Sequence, residues 1–299
     1  MQLTLKQFFK KVKGKLKIFT VKTVDNVCPY VYEFHKEKYV RVIVDEIQAI
    51  TEIVSPAETL SQIKQYINRK KNGAYMRFGD GDVYLSMGKN EMMQHSNELL
   101  TIEMNEAFAL KGKGIFKALA IHSKQYGFEK EMFIGNHLQT DESSNYLLSR
   151  VFPFFVGFNI YSPVALHYMA CYYPDETNEF LKLLKSNSVL FIGNENTPRE
   201  IIQKLFGEVP HITTPTKNSY DQIDEIENKS LKFLHKQKMF GVVIVAMGCS
   251  GRILMKRLYT NNFPVFYFDF GSLLDGICGN ITRPWLKENI NYEKLLSGL

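Results

Sequence analysis

Tyr75-Met76-Arg77-Phe78-Gly79-Asp80-Gly81-Asp82 runs from a short apolar strand into a glycine-rich turn that carries two carboxylates one residue apart. In an extended turn alternate side chains point the same way. Asp80 and Asp82 would then share one hard divalent cation, Mn²⁺ or Mg²⁺, which favours oxygen ligands and is often held by one or two carboxylates plus phosphate oxygens. Gly79 and Gly81 let backbone come close to a ligand, and Arg77 adds a fixed cation beside the turn. Metal, diphosphate and arginine together stabilise a nucleoside-diphosphate leaving group. The same residues also make ordinary turn chemistry, and Asp82 alternatively caps a helix that starts at Val83.

Three further segments place polar residues after apolar runs. Gly248-Cys249-Ser250-Gly251-Arg252 joins a strand to a helix, where backbone amides and the helix dipole favour a phosphate. It is neither a full GxGxxG nor a P-loop, and Ser250 alternatively caps the helix. Asp269 closes the next strand, with Asp275 on the segment that follows. A carboxylate there suits a ribose hydroxyl, a sugar hydroxyl or a metal, or caps the next turn. Asn218 follows Thr214-Pro215-Thr216-Lys217 and either reads a base or sugar edge or caps a helix.

These residues need elements to hold them. Residues 30–32 and 40–44 read as strands, and Ser55-Pro56-Ala57-Glu58 opens a helix that runs to about Arg69. The strand 74–78 follows. Residues 96–124 read as mostly helical, broken by the Lys111-Gly112-Lys113-Gly114 turn. Phe133-Ile134-Gly135-Asn136 reads as a strand end. From Ser188 onward, buried strands at 188–193, 211–213, 241–248 and 265–269 alternate with helices at 198–206, 221–237 and 250–259. That alternation predicts an α/β fold with a mostly parallel sheet flanked by helices, and ligands beyond the C-terminal strand ends.

The net charge of +6 is concentrated in residues 1–24, which hold seven lysines and no acid. The remaining chain is near −1, so the body is not a nucleic-acid-binding surface. Residues 1–24 lack the apolar core of a secretory signal. Leu5, Phe8, Phe9 and Val12 fall at helical spacing, as in a basic amphipathic helix on an anionic membrane surface; a helix docked on the body gives the same pattern. The division expected is a basic helical segment at 1–24 and one domain at 25–299. No run of apolar residues is long enough to span a bilayer. Cys28, Cys171, Cys249 and Cys278 show no metal spacing and read as reduced thiols of a cytoplasmic protein, peripheral to the inner face of a membrane through residues 1–24. Lone histidines such as His122 and His167 read as structural.

Arg77-Phe78-Gly79-Asp80-Gly81-Asp82 resembles the R-[FY]-G-D-G-E segment of glycosyltransferases of the GT-D fold. Asn218-Ser219-Tyr220 is similar to that family's N-[AS]-[FY] segment. Val242–Gly248, Cys249–Gly251, Ile253-Leu254 and Val265–Gly271 resemble its strand, turn, aliphatic pair and strand ending in D-x-G. The resemblance spans roughly residues 57–276 in order. It implies a Rossmann-like, metal-dependent enzyme that moves a sugar from a nucleotide-diphosphate sugar, a UDP-sugar, to a glycan or lipid-linked glycan acceptor in surface polysaccharide or glycoprotein synthesis. Asp80 and Asp82 would hold Mn²⁺ or Mg²⁺. Gly79, Gly81, Asn218, Gly248, Ser250, Gly251 and Ser272 would line the donor. Arg77 would support the phosphates, and Asp269 or Asp275 would position the sugar or act as base. Two departures stand out: the second carboxylate is an aspartate, and Ser272 stands where one branch carries a histidine. The alternatives are a Rossmann-like methyltransferase, which Gly79–Asp82 fits poorly, and a non-catalytic glycan-binding or scaffold protein.

Overall fold

The computed structural model describes residues 52, 54–119, 150–155, 158–280 and 290–299. The basic segment 1–24, the strands expected at 30–32 and 40–44, residues 120–124, His122 and the strand end at 133–136 lie outside the described residues. The first described helix, α1 (Pro56–Asn68), begins as its sequence predicts: Ser55 Oγ accepts the Glu58 N–H at 3.2 Å, and proline occupies the first turn. Strand β1 (Gly73–Phe78) leads directly into α2 (Asp80–Ser86), followed by α3 (Glu98–Ala109). The stretch beyond the Lys111–Gly114 turn is not helical. Ile115–Leu119 forms β2, because its apolar residues pair in parallel with β1 and are buried at the flank of the sheet.

The remaining described helices and strands are α4 (Ala165–Tyr172), α5 (Pro174–Asn187), β3 (Ser188–Asn194), α6 (Arg199–Phe206), β4 (His211–Thr214), α7 (Ile223–Leu234), β5 (Gly241–Ala246), α8 (Ser250–Tyr259), β6 (Val265–Asp269), α9 (Leu273–Ile277) and α10 (Tyr292–Leu296). A 3₁₀ turn at Ser219–Gln222 precedes α7.

The six strands form one parallel sheet in the order β2-β1-β6-β5-β3-β4. Successive strand residues enter opposite cores: Met76, Phe78, Val243, Val245 and Tyr267 pack on one face, and Tyr75, Val242, Ile244, Phe266 and Phe268 on the other. Both faces are covered, as a parallel sheet requires. The chain leaves β1 to one side to form β2 and fills the other side with β6, β5, β3 and β4. Strand order therefore reverses at β1/β6, and the crevice beyond the C-terminal ends of those strands is where an open α/β sheet binds its ligand.

Candidate active site

The acidic turn sits at that crevice, in a shape the sequence did not lead one to expect. Gly79 is the extended N-cap of α2, and the helix begins at Asp80 rather than at Val83. Asp82 Oδ2 accepts the Gly79 N–H at 2.8 Å. Two residues apart on a helix point to nearly opposite sides, so Asp80 and Asp82 do not share a face. Asp80 is exposed, with Oδ1 accepting the Gly81 N–H at 2.9 Å. Asp82 is 1% exposed.

Burial draws Asp82 into a four-residue charge cluster. Asp269, at the end of β6, accepts the Arg77 N–H at 3.3 Å and lies 3.9 Å from Arg77 Nη1. Arg252, in the first turn of α8, reaches Asp269 Oδ2 through Nη2 at 3.3 Å and Asp82 Oδ1 through Nε at 3.5 Å. Its guanidinium also donates to the carbonyls of Arg77 and Gly248. Two acids and two arginines balance in charge, which is how buried ions become tolerable. Burial pushes the Asp82 carboxyl up to about 6, against the pull of Arg252 and the Gly79 amide. Burial disfavours the Arg252 cation, but Asp269 and Asp82 prevail and raise it. The Cys249 thiol is pushed well above its usual range by burial and then by Asp82 beside it. Asp82 Oδ1 is buried and makes no hydrogen bond; Arg252 Nε at 3.5 Å is a long contact.

Glycines shape the surroundings. Gly271 has φ +66°, and a Cβ there would fall 1.1 Å from Arg77 Nη1, so the guanidinium occupies that space. A Cβ on Gly81 would meet Cys249 Sγ at 3.0 Å. Gly248 turns at φ +61° between β5 and α8.

Other expected residues have assignments of their own. Ser250 is buried and donates to Gln94 Oε1 at 3.0 Å, and Gln94 Oε1 also accepts the Tyr220 N–H at 3.0 Å. Asn218 is left-handed at the start of the 3₁₀ turn, and its side chain makes no capping hydrogen bond there; its Oδ1 accepts the His95 N–H at 2.9 Å and its N–H donates to Met93 O at 2.8 Å. It braces the loop before α3 against the start of α7. Asp275 lies on the exposed side of α9. Ser272 Oγ lies 3.2 Å from His167 Nε2, so a buried histidine of α4 faces the segment after β6. Sequence reasoning gave no role to Arg252 or Gln94 and read His167 as structural. Arg252 carried a signal: a cation in a helix's first turn opposes the dipole, so another partner must hold it there.

The GT-D fold-like domain model matches residues 54–277. Three solved structures share the fold. One is described as the selenomethionine-substituted domain of unknown function 1792, at 17% identity and TM-score 0.58, covering 78% of this chain and 82% of that one. Another, described as showing that this domain has a distinct glycosyltransferase fold, is 17% identical at TM-score 0.55, covering 80% and 82%. The third, described as a new glycosyltransferase (DUF1792) from Streptococcus sanguinis, is 15% identical at TM-score 0.55, covering 74% and 81%. No curated protein matches the chain.

Proposed function

We propose that this chain, which belongs to the GT-D-like family, is a glycosyltransferase that moves a sugar from a nucleotide-diphosphate sugar, a UDP-sugar, to a hydroxyl of a glycan or lipid-linked glycan in surface polysaccharide or glycoprotein synthesis. The observation that carries this reading is the Arg77–Asp82–Arg252–Asp269 cluster at the β1/β6 reversal. A buried, charge-balanced floor at the ligand-binding end of a parallel sheet suits a polar donor better than a packing role.

Among the described residues no three acids, histidines or cysteines gather as a metal site; Asp80, on the solvent side of the acidic turn, would hold Mn²⁺ or Mg²⁺ with phosphate oxygens and water completing the shell, while Asp82, turned inward, would fix the turn through Gly79 and Arg252. The ion would neutralise charge on the diphosphate. Arg77, packed over Gly271, is a preorganised cation for the same phosphates, and Arg252 keeps Asp82 and Asp269 fixed beneath it. The Gly248–Gly251 turn and Gly79 present backbone to the donor, while Ser250 and Asn218 act indirectly by holding Gln94 and the 93–95 loop. Donor hydrolysis over a panel of UDP-sugars with Mn²⁺ tests the reading. Turnover is expected in the wild type and loss of it in Asp82→Asn; near-normal turnover in that variant makes the turn merely structural.

A further inference from the structure

The two acids of the charge cluster are buried, so a base for the proposed transfer is sought beside it. Asp269 is 4% exposed and tied to Arg252 at 3.3 Å and to the Arg77 amide at 3.3 Å. Asp82 is tied to Gly79 and Arg252. Both carboxylates are engaged inside the protein and neither presents a free oxygen to an acceptor hydroxyl in the crevice.

Beside the cluster stand His167 and Ser272, 105 residues apart in the chain, with Nε2 and Oγ 3.2 Å apart. Ser272 follows Gly271, over which the Arg77 guanidinium packs. The segment leading to His167 is fixed to β1 at two points: Ser162 O accepts the Tyr75 hydroxyl at 2.6 Å, and Pro163 O accepts Arg77 Nε–H. His167 is 1% exposed, whereas Ser272 is half-buried at the crevice. An imidazole sealed from solvent does not meet a substrate directly. A hydroxyl both accepts and donates, so Ser272 connects the crevice to the buried ring.

Resting on the glycosyltransferase reading above, we propose that Ser272 and His167 form a proton relay for the transfer step, with Ser272 as the catalytic residue and His167 as the positioning residue behind it. The acceptor oxygen forms a bond to the anomeric carbon. The bond from that carbon to the diphosphate oxygen breaks, and its electron pair leaves with the nucleoside diphosphate. The acceptor proton passes to Ser272 Oγ, whose own proton passes to His167 Nε2 and leaves an imidazolium. After product release the proton returns to solvent through Ser272. Water in place of the glycan gives donor hydrolysis by the same relay, so no knowledge of the acceptor is needed to test it.

The test uses the full chain with Mn²⁺, UDP-glucose, UDP-galactose and UDP-N-acetylglucosamine as donors, and UDP as the binding probe. In Ser272→Ala and His167→Gln, kcat for hydrolysis is expected to fall about 100-fold, and the double variant to fall no further. UDP affinity stays unchanged in both variants. Retention of kcat in either variant overturns the relay, as do additive losses in the double variant or a loss of kcat matched by a loss of UDP affinity. Should His167→Gln not fold, the half-exposed Ser272→Ala variant decides alone by its kcat at unchanged affinity. Should the wild type bind UDP but turn over none of the donors, the ring ¹⁵N signals of His167 decide: they are expected to move in Ser272→Ala and on UDP binding, and unmoved signals overturn the relay. Absence of UDP binding overturns the glycosyltransferase reading and the relay with it; the other adverse results overturn the relay alone.

Discussion

Arg252 and Lys117 are both buried cations, and they are held in opposite ways. Arg252 stands at the strand ends with two carboxylates, Asp82 and Asp269, within ion-pair distance. Lys117 stands mid-strand in β2, 3% exposed, and donates from Nζ to the carbonyls of Phe108 and Phe154, each at 2.7 Å. The rings of Phe155 and Phe158 lie 4.9 and 5.4 Å from its Nζ. Burial, then Lys111, brings Lys117 down to about 7, whereas acids raise Arg252. A cation that gathers acids at the ligand end of a sheet suits the donor site we propose. One that gathers carbonyls and rings ties the end of α3 to an edge strand, and its charge is a liability the fold carries.

Arg252→Met gives the largest effect. It leaves two carboxylates buried without their shared cation, which costs about 3–5 kcal/mol in urea denaturation, with loss of UDP binding. Lys117→Met leaves two carbonyls unpaired but removes a buried charge. It should cost about 1–2 kcal/mol and spare UDP binding. Equal costs for the two variants would break the comparison.

Dependence on pH separates the regions further. Asp82 has its carboxyl near 6 when folded, against an ordinary 3.8. The native state binds the extra proton between those values, so this group's contribution to stability falls as pH rises from 3.8 to about 6 and stays low above it. Lys117 runs the other way: near 7 when folded and 10.5 ordinarily. There the unfolded chain binds the extra proton, so stability rises with pH from about 7 to 10.5. Melting temperature against pH should show both slopes, the first flattened by Asp82→Asn and the second by Lys117→Met. Slopes that survive their own substitutions would refute the assignments. Asp80→Asn, at an exposed position, should abolish transfer without moving either slope.

The lysines of residues 1–24 form a third set of cations, whose partner we propose is an anionic membrane. Each is worth about 1 kcal/mol near such a surface, fading over a Debye length. Co-sedimentation of the full chain with anionic vesicles should fall with salt and on deletion of 1–24, with no change in melting temperature. Unchanged binding and a lower melting temperature would make the segment part of the fold. Among the described residues no helix is long and apolar enough to cross a membrane.

The sheet was legible in the sequence because β3, β5 and β6 are continuous apolar runs closed by Gly, Asn or Asp, the pattern of strands buried on both faces. β2 was not, because Ile115–Leu119 carries a lysine in its middle and follows a helix through a short turn. Only the tertiary contacts of Lys117 explain a charge in that place. The shape of the acidic turn was misread: Gly79 and Gly81 suit an extended turn and a helix start equally, and burial of Asp82 against Arg252 decides between them. The partners of Asp82, Asp269 and Ser272 arrive from far along the chain, and no local spacing encodes them.

If the cluster around Asp82 and Arg252 is a nucleotide-diphosphate site, thermal shift with UDP reports it. A ligand that binds only the native state at a hundredfold excess over its Kd adds about 2.7 kcal/mol. UDP with Mn²⁺ should raise the melting temperature of the wild type and of Lys117→Met, UDP without divalent cation should not, and Asp82→Asn should lose the response. An unchanged melting temperature with UDP, GDP, CDP and dTDP, each in the presence of Mn²⁺, would contradict the account.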